Sequence, residues 1–158
     1  MRAGETALKY WKSSLSRQKE DGSIVTDADV ACEAVLVEAL QRAFPDCAIV
    51  SEEGTRKPGD SGTWYVDPID GTSSFVEGLA HWGPTISLVV DGRVTMGAFW
   101  QPRLGDYWFA MDQEGAWHNQ DRLRLTEPDQ IRSFHPLYGP SGLHRVGPIP
   151  WPGKLRAL

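Results

Sequence analysis

The 158-residue sequence lacks the features that mark several large classes of protein. It holds only two cysteines, Cys32 and Cys47, which have neither CxxC spacing nor further partners, so we expect buried free thiols rather than a disulfide framework or a zinc site. No stretch approaches the roughly 18 apolar residues of a membrane span, and the N-terminus lacks the apolar core of a signal peptide, so we expect a cytoplasmic protein with no membrane partner. The basic residues are scattered and the net charge is −5, which argues against a nucleic-acid partner.

Composition divides the chain into two parts. With 41% hydrophobic residues, the sequence can bury the core of one domain. The last 25 residues hold five of the eleven prolines and four glycines, a composition that does not sustain a helix or a central strand. We therefore predict one domain over residues 1–133 and a Pro/Gly-rich linker over residues 134–158.

Two amphipathic helices are predicted in the first third of the chain. Apolar side chains three and four residues apart indicate a helix over residues 4–16 and a second over residues 27–44. Thr26 is expected to cap the second helix, with Asp29 completing a variant of the capping box, and Pro45 is expected to end it. The predicted apolar stripe of this helix consists of Ala31, Val35, Leu36, Ala39, Leu40 and Ala43.

Short strand-like runs follow the helices. They cover residues 47–50, 64–66, 84–90, 93–99, 107–110 and 116–118. Asp91-Gly92 stands between two of these runs and is a strong two-residue hairpin signal, and a further hairpin is expected to turn at Gly115. The polar residues 56–62 predict a surface loop. Helices followed by a mainly antiparallel sheet indicate an α+β fold, a layered α/β sandwich.

A group of oxygen ligands is predicted where the second of these strands ends. Pro68 forces a turn there, which allows the carboxylates of Asp67 and Asp70 to face the same point. The Ile69 carbonyl is a third oxygen in this turn. Glu52 follows the preceding strand, and its carboxylate reaches the same point if the two strands are neighbours. Carboxylate and carbonyl oxygens suit a hard cation such as Mg²⁺.

The residues after the turn suit a phosphate. Gly71 permits a positive φ or the close approach of a ligand to the backbone. Thr72 and Ser73 are expected to open a short helix whose free N–H groups can bind an anion.

Each of these motifs also has a purely structural interpretation. Asp29 alone is typical of a helix-capping carboxylate, and Glu52 with its acidic neighbour is typical of a solvated loop. Thr72 and Ser73 are ordinary capping residues, and the Asp-Pro-Ile-Asp-Gly segment has the composition of a β-turn. Taken singly, the motifs leave both interpretations open; their ordered combination favours the metal site when it is read with the family resemblance that follows.

Three segments resemble the inositol monophosphatase superfamily in order and approximate spacing: Thr26-Asp27-Ala28-Asp29, Ser51-Glu52-Glu53 and Trp64 to Phe75. The resemblance implies a Mg²⁺-dependent enzyme that hydrolyses a small phosphate monoester with an activated water. It implies a metal-ligand set of Glu52, Asp67, the Ile69 carbonyl and Asp70, and a phosphate-binding set of Gly71, Thr72 and Ser73. It further implies that Thr72 and Glu52 position the water and that Asp29 orients Thr72.

The resemblance leaves the substrate open. An inositol monophosphate or related sugar or alcohol phosphate is expected. Three stretches are more similar to bacterial histidinol-phosphate phosphatases than to animal inositol monophosphatases: residues 74–78, Trp100-Gln101-Pro102 and Tyr107-Trp108. Histidinol phosphate is therefore the alternative substrate.

The resemblance also covers only about the first half of a family member. We therefore expect the C-terminal domain to be absent, and with it one metal carboxylate and much of the pocket. The chain alone is expected to be weakly active or inactive unless a second chain completes it, and a truncated, non-catalytic metal-binding relative is the remaining alternative. Apolar surface left by the missing half predicts association, and we expect a homodimer.

Overall fold

Two helices precede the main sheet in the computed structural model, which describes residues 2–20 and 22–124. Helix α1 spans Arg2–Tyr10 and helix α2 spans Asp27–Ala43. No helix in these ranges is long and apolar enough to cross a membrane. The predicted domain boundary after residue 133 and the predicted linker lie outside the described residues.

The first helix is shorter than predicted. It ends at Tyr10 instead of residue 16, because Lys12 has a φ of +67°, a left-handed conformation that cannot continue a right-handed helix. Leu15, which the periodicity placed on the buried face, is 72% exposed. The chain instead forms a small hairpin from β1, Ser16–Gln18, and β2, Ile24–Thr26.

The cap of α2 is as predicted, but its buried stripe is not. The Thr26 hydroxyl accepts the Ala28 N–H at 3.2 Å, and the Asp29 carboxylate accepts the Thr26 N–H at 2.7 Å, so the capping box is confirmed. The buried residues of α2 are Ala28, Asp29, Cys32, Glu33, Val37 and Leu40. Of the predicted stripe only Leu40 is among them. Small alanines on several sides of the helix give a weak periodic signal, so packing against the sheet and α1 decides which face is buried.

One eight-stranded sheet makes up most of the fold and has the order β10-β9-β8-β7-β6-β5-β3-β4. Its strands are β3 Ala48–Ser51, β4 Arg56–Lys57, β5 Thr63–Asp70, β6 Gly83–Val90, β7 Arg93–Gln101, β8 Asp106–Met111, β9 Gly115–His118 and β10 Asp121–Arg122, with helix α3 over Thr72–Val76. Every pair is antiparallel except β3 with β5, which confirms the α+β fold with a mainly antiparallel sheet. The predicted surface loop over residues 56–62 contains the two-residue β4.

Both predicted hairpins are present. Asp91 and Gly92 have φ values of +50° and +74° and join β6 to β7, as a tight two-residue turn requires. Strands β8 and β9 also pair antiparallel, with Gly115 opposite Met111 at the start of β9.

Two hydrophobic clusters form the core. One holds Val37, Leu40, Ile49, Trp64 and Val66, between α2 and strands β3 and β5. The other holds Ala7, Ala28, Cys32, Ile69, Phe75 and Trp82, and lies directly beneath the predicted site. Burial raises the pKa of the Cys32 thiol to about 12, and both Cys32 and Cys47 are free thiols, as expected.

Candidate active site

The strands β3 and β5 bring two separate acidic segments to one edge of the sheet. They run parallel, with Ser51 opposite Val66, so their carboxyl ends lie side by side. The Glu52 N–H donates to the Val66 carbonyl at 2.9 Å and extends the pairing by one residue. Glu52 and Asp67 therefore leave neighbouring strands at the same level, which is the adjacency that the sequence left open.

The turn after β5 is held by its own hydrogen bonds. The register of β5 against β6 shifts between Asp67 and Asp70, which marks a bulge. Inside it, the Ile69 N–H donates to the Asp67 carboxylate at 3.1 Å. The Ile69 side chain is buried, while its carbonyl accepts the Thr72 hydroxyl at 2.9 Å. The turn therefore carries two carboxylates and a backbone carbonyl within four consecutive residues.

Gly71 is required at the start of α3 for two independent reasons. Its φ is +85°, in the left-handed region that side chains disfavour. A Cβ at this position would also lie 2.9 Å from the His81 carbonyl oxygen. Thr72 and Ser73 are the first two residues of α3, and both are partly buried. The segment 71–73 thus presents backbone N–H groups next to the carboxylates.

Asp29 contacts both the start of α2 and Thr72, the two sets of partners that the sequence offered as alternatives. It is 1% exposed and caps α2 through Thr26, whose hydroxyl donates to Oδ2 at 2.6 Å. Its other oxygen, Oδ1, accepts the Thr72 hydroxyl at 3.4 Å. Capping fixes the Asp29 carboxylate, and the fixed carboxylate then contacts the turn. Burial raises the pKa of Asp29 and the hydrogen bonds from Thr26 oppose this.

Negative charges accumulate at this edge of the sheet. Burial, followed by the charge of Glu52, raises the pKa of Asp67 from 3.8 to about 8, and Asp70 adds to the increase. Asp70 is exposed, yet partial desolvation by its neighbours and then the charge of Glu52 raise its pKa as well, whereas the Gly71 N–H lowers it. The three groups would repel one another if all were ionised, and Asp67 therefore retains a proton near neutral pH.

This donor set fits a hard divalent cation. Within the described residues no three His, Cys, Asp or Glu side chains stand close enough to enclose an ion as they are oriented. The carboxylates can still repel one another, because coulombic repulsion acts over longer distances than metal coordination. The Glu52 side chain is 48% exposed and can rotate. A cation that drew the carboxylates together would cancel their repulsion. Oxygen donors with excess negative charge are the ligands that Mg²⁺ prefers.

A cation of the protein itself stands beside the acidic loop. Lys19 Nζ lies 2.9 Å from Glu53 Oε1 and 3.9 Å from Glu52 Oε1. Burial raises the pKa of Glu53, and Lys19 opposes the increase. Sequence analysis did not assign Lys19 to the site, because it lies in the unpredicted β1–β2 hairpin.

Glu33 is a second residue that the sequence analysis missed. Its carboxylate accepts hydroxyl groups from Ser51 and Thr55, on either side of Glu52. The signal is readable only once the buried face of α2 is known: Glu33 lies four and seven residues before Val37 and Leu40, in phase with that face. An acidic residue on a buried helical face requires specific partners.

Comparison with known proteins identifies relatives of this chain. The model of the inositol monophosphatase family matches residues 1–148. A fructose-1,6-bisphosphatase/inositol-1-monophosphatase of Thermotoga maritima is 33% identical over 80% of this chain and 50% of its own length. A histidinol-phosphatase of Chlorobaculum parvum is 35% identical over 79% of this chain and 49% of its own length. The solved structure of a Thermotoga maritima IMPase superposes with a TM-score of 0.74 at 32% identity, covering 80% of this chain and 50% of that one. The chain thus spans about half the length of the relatives it matches.

Proposed function

Because this chain belongs to the inositol monophosphatase family, we propose that it carries the metal- and phosphate-binding half of a Mg²⁺-dependent phosphate monoesterase. The observation that supports this most directly is the convergence of Glu52, Asp67 and Asp70, where burial and then the charge of Glu52 raise the pKa values of both aspartates. Three mutually repelling carboxylates are costly in a folded protein and suit a bound cation.

The proposed cation ligands are the carboxylates of Glu52, Asp67 and Asp70 together with the Ile69 carbonyl. When bound, Mg²⁺ supplies Lewis-acid polarisation of the phosphate and lowers the pKa of the attacking water. The protein residues do the remaining work. Gly71, whose Cα hydrogen leaves room beside the His81 carbonyl, lets the backbone approach the substrate closely.

The phosphate is proposed to bind the backbone N–H groups of Gly71, Thr72 and Ser73. The Thr72 hydroxyl donates to the Ile69 carbonyl and lies near Asp29, so its lone pairs have a defined direction. Thr72, oriented by Asp29, and Glu52 would together hold the attacking water. Asp29 acts through Thr72 and is a positioning residue in this scheme.

The substrate is proposed to be a small phosphate monoester, with an inositol or sugar phosphate first. Histidinol phosphate is the second candidate, because a histidinol-phosphatase is 35% identical over 79% of this chain. A metal-binding chain without catalysis is the third candidate. A cytoplasmic homodimer stays a prediction.

Phosphate release from inositol 1-phosphate, fructose 1,6-bisphosphate and histidinol phosphate tests these candidates together. Mg²⁺-dependent release from one of them is expected, and Asp70→Asn should abolish it by removing a cation ligand. Asp91→Asn makes the same chemical change in the β6–β7 turn, where asparagine is equally suited, and should leave release unchanged. Mn²⁺ binding by calorimetry without release of phosphate from any of the three would favour the non-catalytic candidate.

A further inference from the structure

The carboxylate of Glu33, on the buried face of α2, contacts the loop that carries Glu52. Glu33 is 8% exposed. The Ser51 hydroxyl donates to its Oε2 at 2.5 Å, and the Thr55 hydroxyl donates to its Oε1. Each carboxylate oxygen is thus used, and the two donors stand on either side of Glu52 and Glu53.

The same loop is closed by its own backbone. The Ser51 N–H donates to the Thr55 carbonyl at 2.9 Å, and the Gly54 N–H donates to the Ser51 carbonyl at 3.3 Å. Arg56 Nη1 also donates to the Ser51 carbonyl, at 2.5 Å. The loop is therefore a compact turn, attached through Glu52 to the end of β5 and through Glu33 to α2.

A buried carboxylate is a costly way to pack a helix against a loop. An apolar side chain of similar volume often gives equal or greater stability at such a position. No ion pair in the described ranges involves Glu33, so its partners are hydroxyl groups alone. Hydroxyl-to-carboxylate hydrogen bonds are directional, so they fix the orientation of the turn more closely than apolar contacts would.

We propose that Glu33 is a positioning residue for the cation site. By binding Ser51 and Thr55 together, it holds the turn so that the Glu52 carboxylate faces Asp67. This inference rests on the proposed function, in which Glu52 and Asp67 bind one cation.

Mn²⁺ affinity, measured by calorimetry on the 158-residue chain, tests the proposal. Glu33→Met keeps the volume of the side chain and removes both acceptors, so we expect Mn²⁺ to bind about 10- to 100-fold more weakly, the usual effect of losing a group that orients a metal ligand. Glu33→Gln retains an acceptor for one hydroxyl and a donor for the other, and should restore most of the affinity. Glu38→Met makes the same substitution at an exposed position of α2 and should bind Mn²⁺ as the unchanged chain does.

Hydrogen exchange in metal-free buffer supplies a readout that does not depend on the cation. The Glu52 and Glu53 amides should exchange faster in Glu33→Met, while amides in the centre of β5 exchange at the unchanged rate. If Glu33→Met does not fold, Thr55→Val removes one of the hydrogen bonds from the loop side and is expected to produce both effects to a smaller extent.

Two results would overturn the proposal: unaltered Mn²⁺ affinity in folded Glu33→Met, or unaltered exchange at Glu52 and Glu53. If the unchanged chain binds no Mn²⁺, the proposed function fails. Hydrogen exchange of the Glu52 and Glu53 amides then decides separately whether Glu33 fixes the orientation of the turn.

Discussion

Cation affinity at the proposed site should rise with pH, because Asp67, as a proposed ligand, must release a proton before it can bind a metal. Burial and the charge of Glu52 raise the pKa of Asp67 to about 8. Below that pH, Mg²⁺ and a proton compete for the same carboxylate. The perturbation is a change from about pH 6 to about pH 8 at constant ionic strength.

The size of the effect follows from the proton balance. Well below the pKa, displacing one proton changes the apparent dissociation constant about tenfold per pH unit, or about 1.4 kcal/mol. At pH 8 half of the Asp67 carboxyls are already ionised, so we expect affinity to increase about 50-fold between about pH 6 and about pH 8. The metal-free protein should show the opposite trend in stability. Folded Asp67 retains a proton that the unfolded chain has released, so this residue lowers the free energy of unfolding progressively as pH rises from about 4 to about 8. Stabilisation by Mg²⁺ should therefore be larger at the higher pH.

Calorimetric titration with Mg²⁺ in two buffers of different ionisation enthalpy measures both the affinity and the number of protons released. We expect close to one proton per cation at about pH 6.5 and fewer above about pH 8. Asp67→Asn should remove the proton release along with most of the affinity, whereas Asp91→Asn should change neither. Equal affinity at both pH values, or binding without proton release, would refute the assignment of Asp67 as a ligand that is protonated near neutral pH.

Three further predictions concern the free energy of unfolding, measured with urea in the presence of EDTA. Asp70→Asn should raise the free energy of unfolding by about 0.5–1 kcal/mol. The gain is small because Asp70 is exposed and solvent screens its repulsion of the other carboxylates; a loss of stability would contradict that repulsion. Gly71→Ala should lower it by about 2–3 kcal/mol, because φ is +85° and the new Cβ would lie 2.9 Å from the His81 carbonyl; an effect near zero would show that the turn relaxes. Thr26→Ala should lower it by about 1–2 kcal/mol through loss of the cap, whereas Thr26→Ser keeps the hydroxyl and should cost much less; equal losses in both variants would assign the effect to the methyl group.

Local signals predicted several elements of the fold correctly. Asp91-Gly92 specifies a tight turn through the conformations that those two residues adopt easily, and Thr26 with Asp29 specifies a helix start through hydrogen bonds within four residues. The prediction of the buried stripe of α2 was wrong because the alanines of this helix favour no single face. The first helix ended early because Lys12 adopts a left-handed conformation, after which the chain forms the β1–β2 hairpin.

The residues of the site also divide into those that local sequence predicts and those that only the fold brings together. Asp67, Asp70 and Gly71 lie in one turn, and the chemistry of Pro68 and Gly71 makes their grouping readable from the sequence. The contact between Asp29 and Thr72 joins residues 43 positions apart, and only the resemblance to a family suggested it in advance. Glu33 escaped notice because one acidic residue on a helix is ordinarily solvated.

The sequence by itself determined the fold class and the acidic turn over residues 67–72, because both depend on conformational preferences and hydrogen bonds between near neighbours. Only the tertiary structure decided that Glu52 and Asp67 stand on adjacent parallel strands and that Glu33 lies beneath the loop between β3 and β4. Pairing of distant segments depends on how sheet and helices pack as a whole, and no local pattern specifies it. The electrostatic character of the site arises from that pairing, because carboxylates distant in the sequence repel one another only once the fold has brought them together.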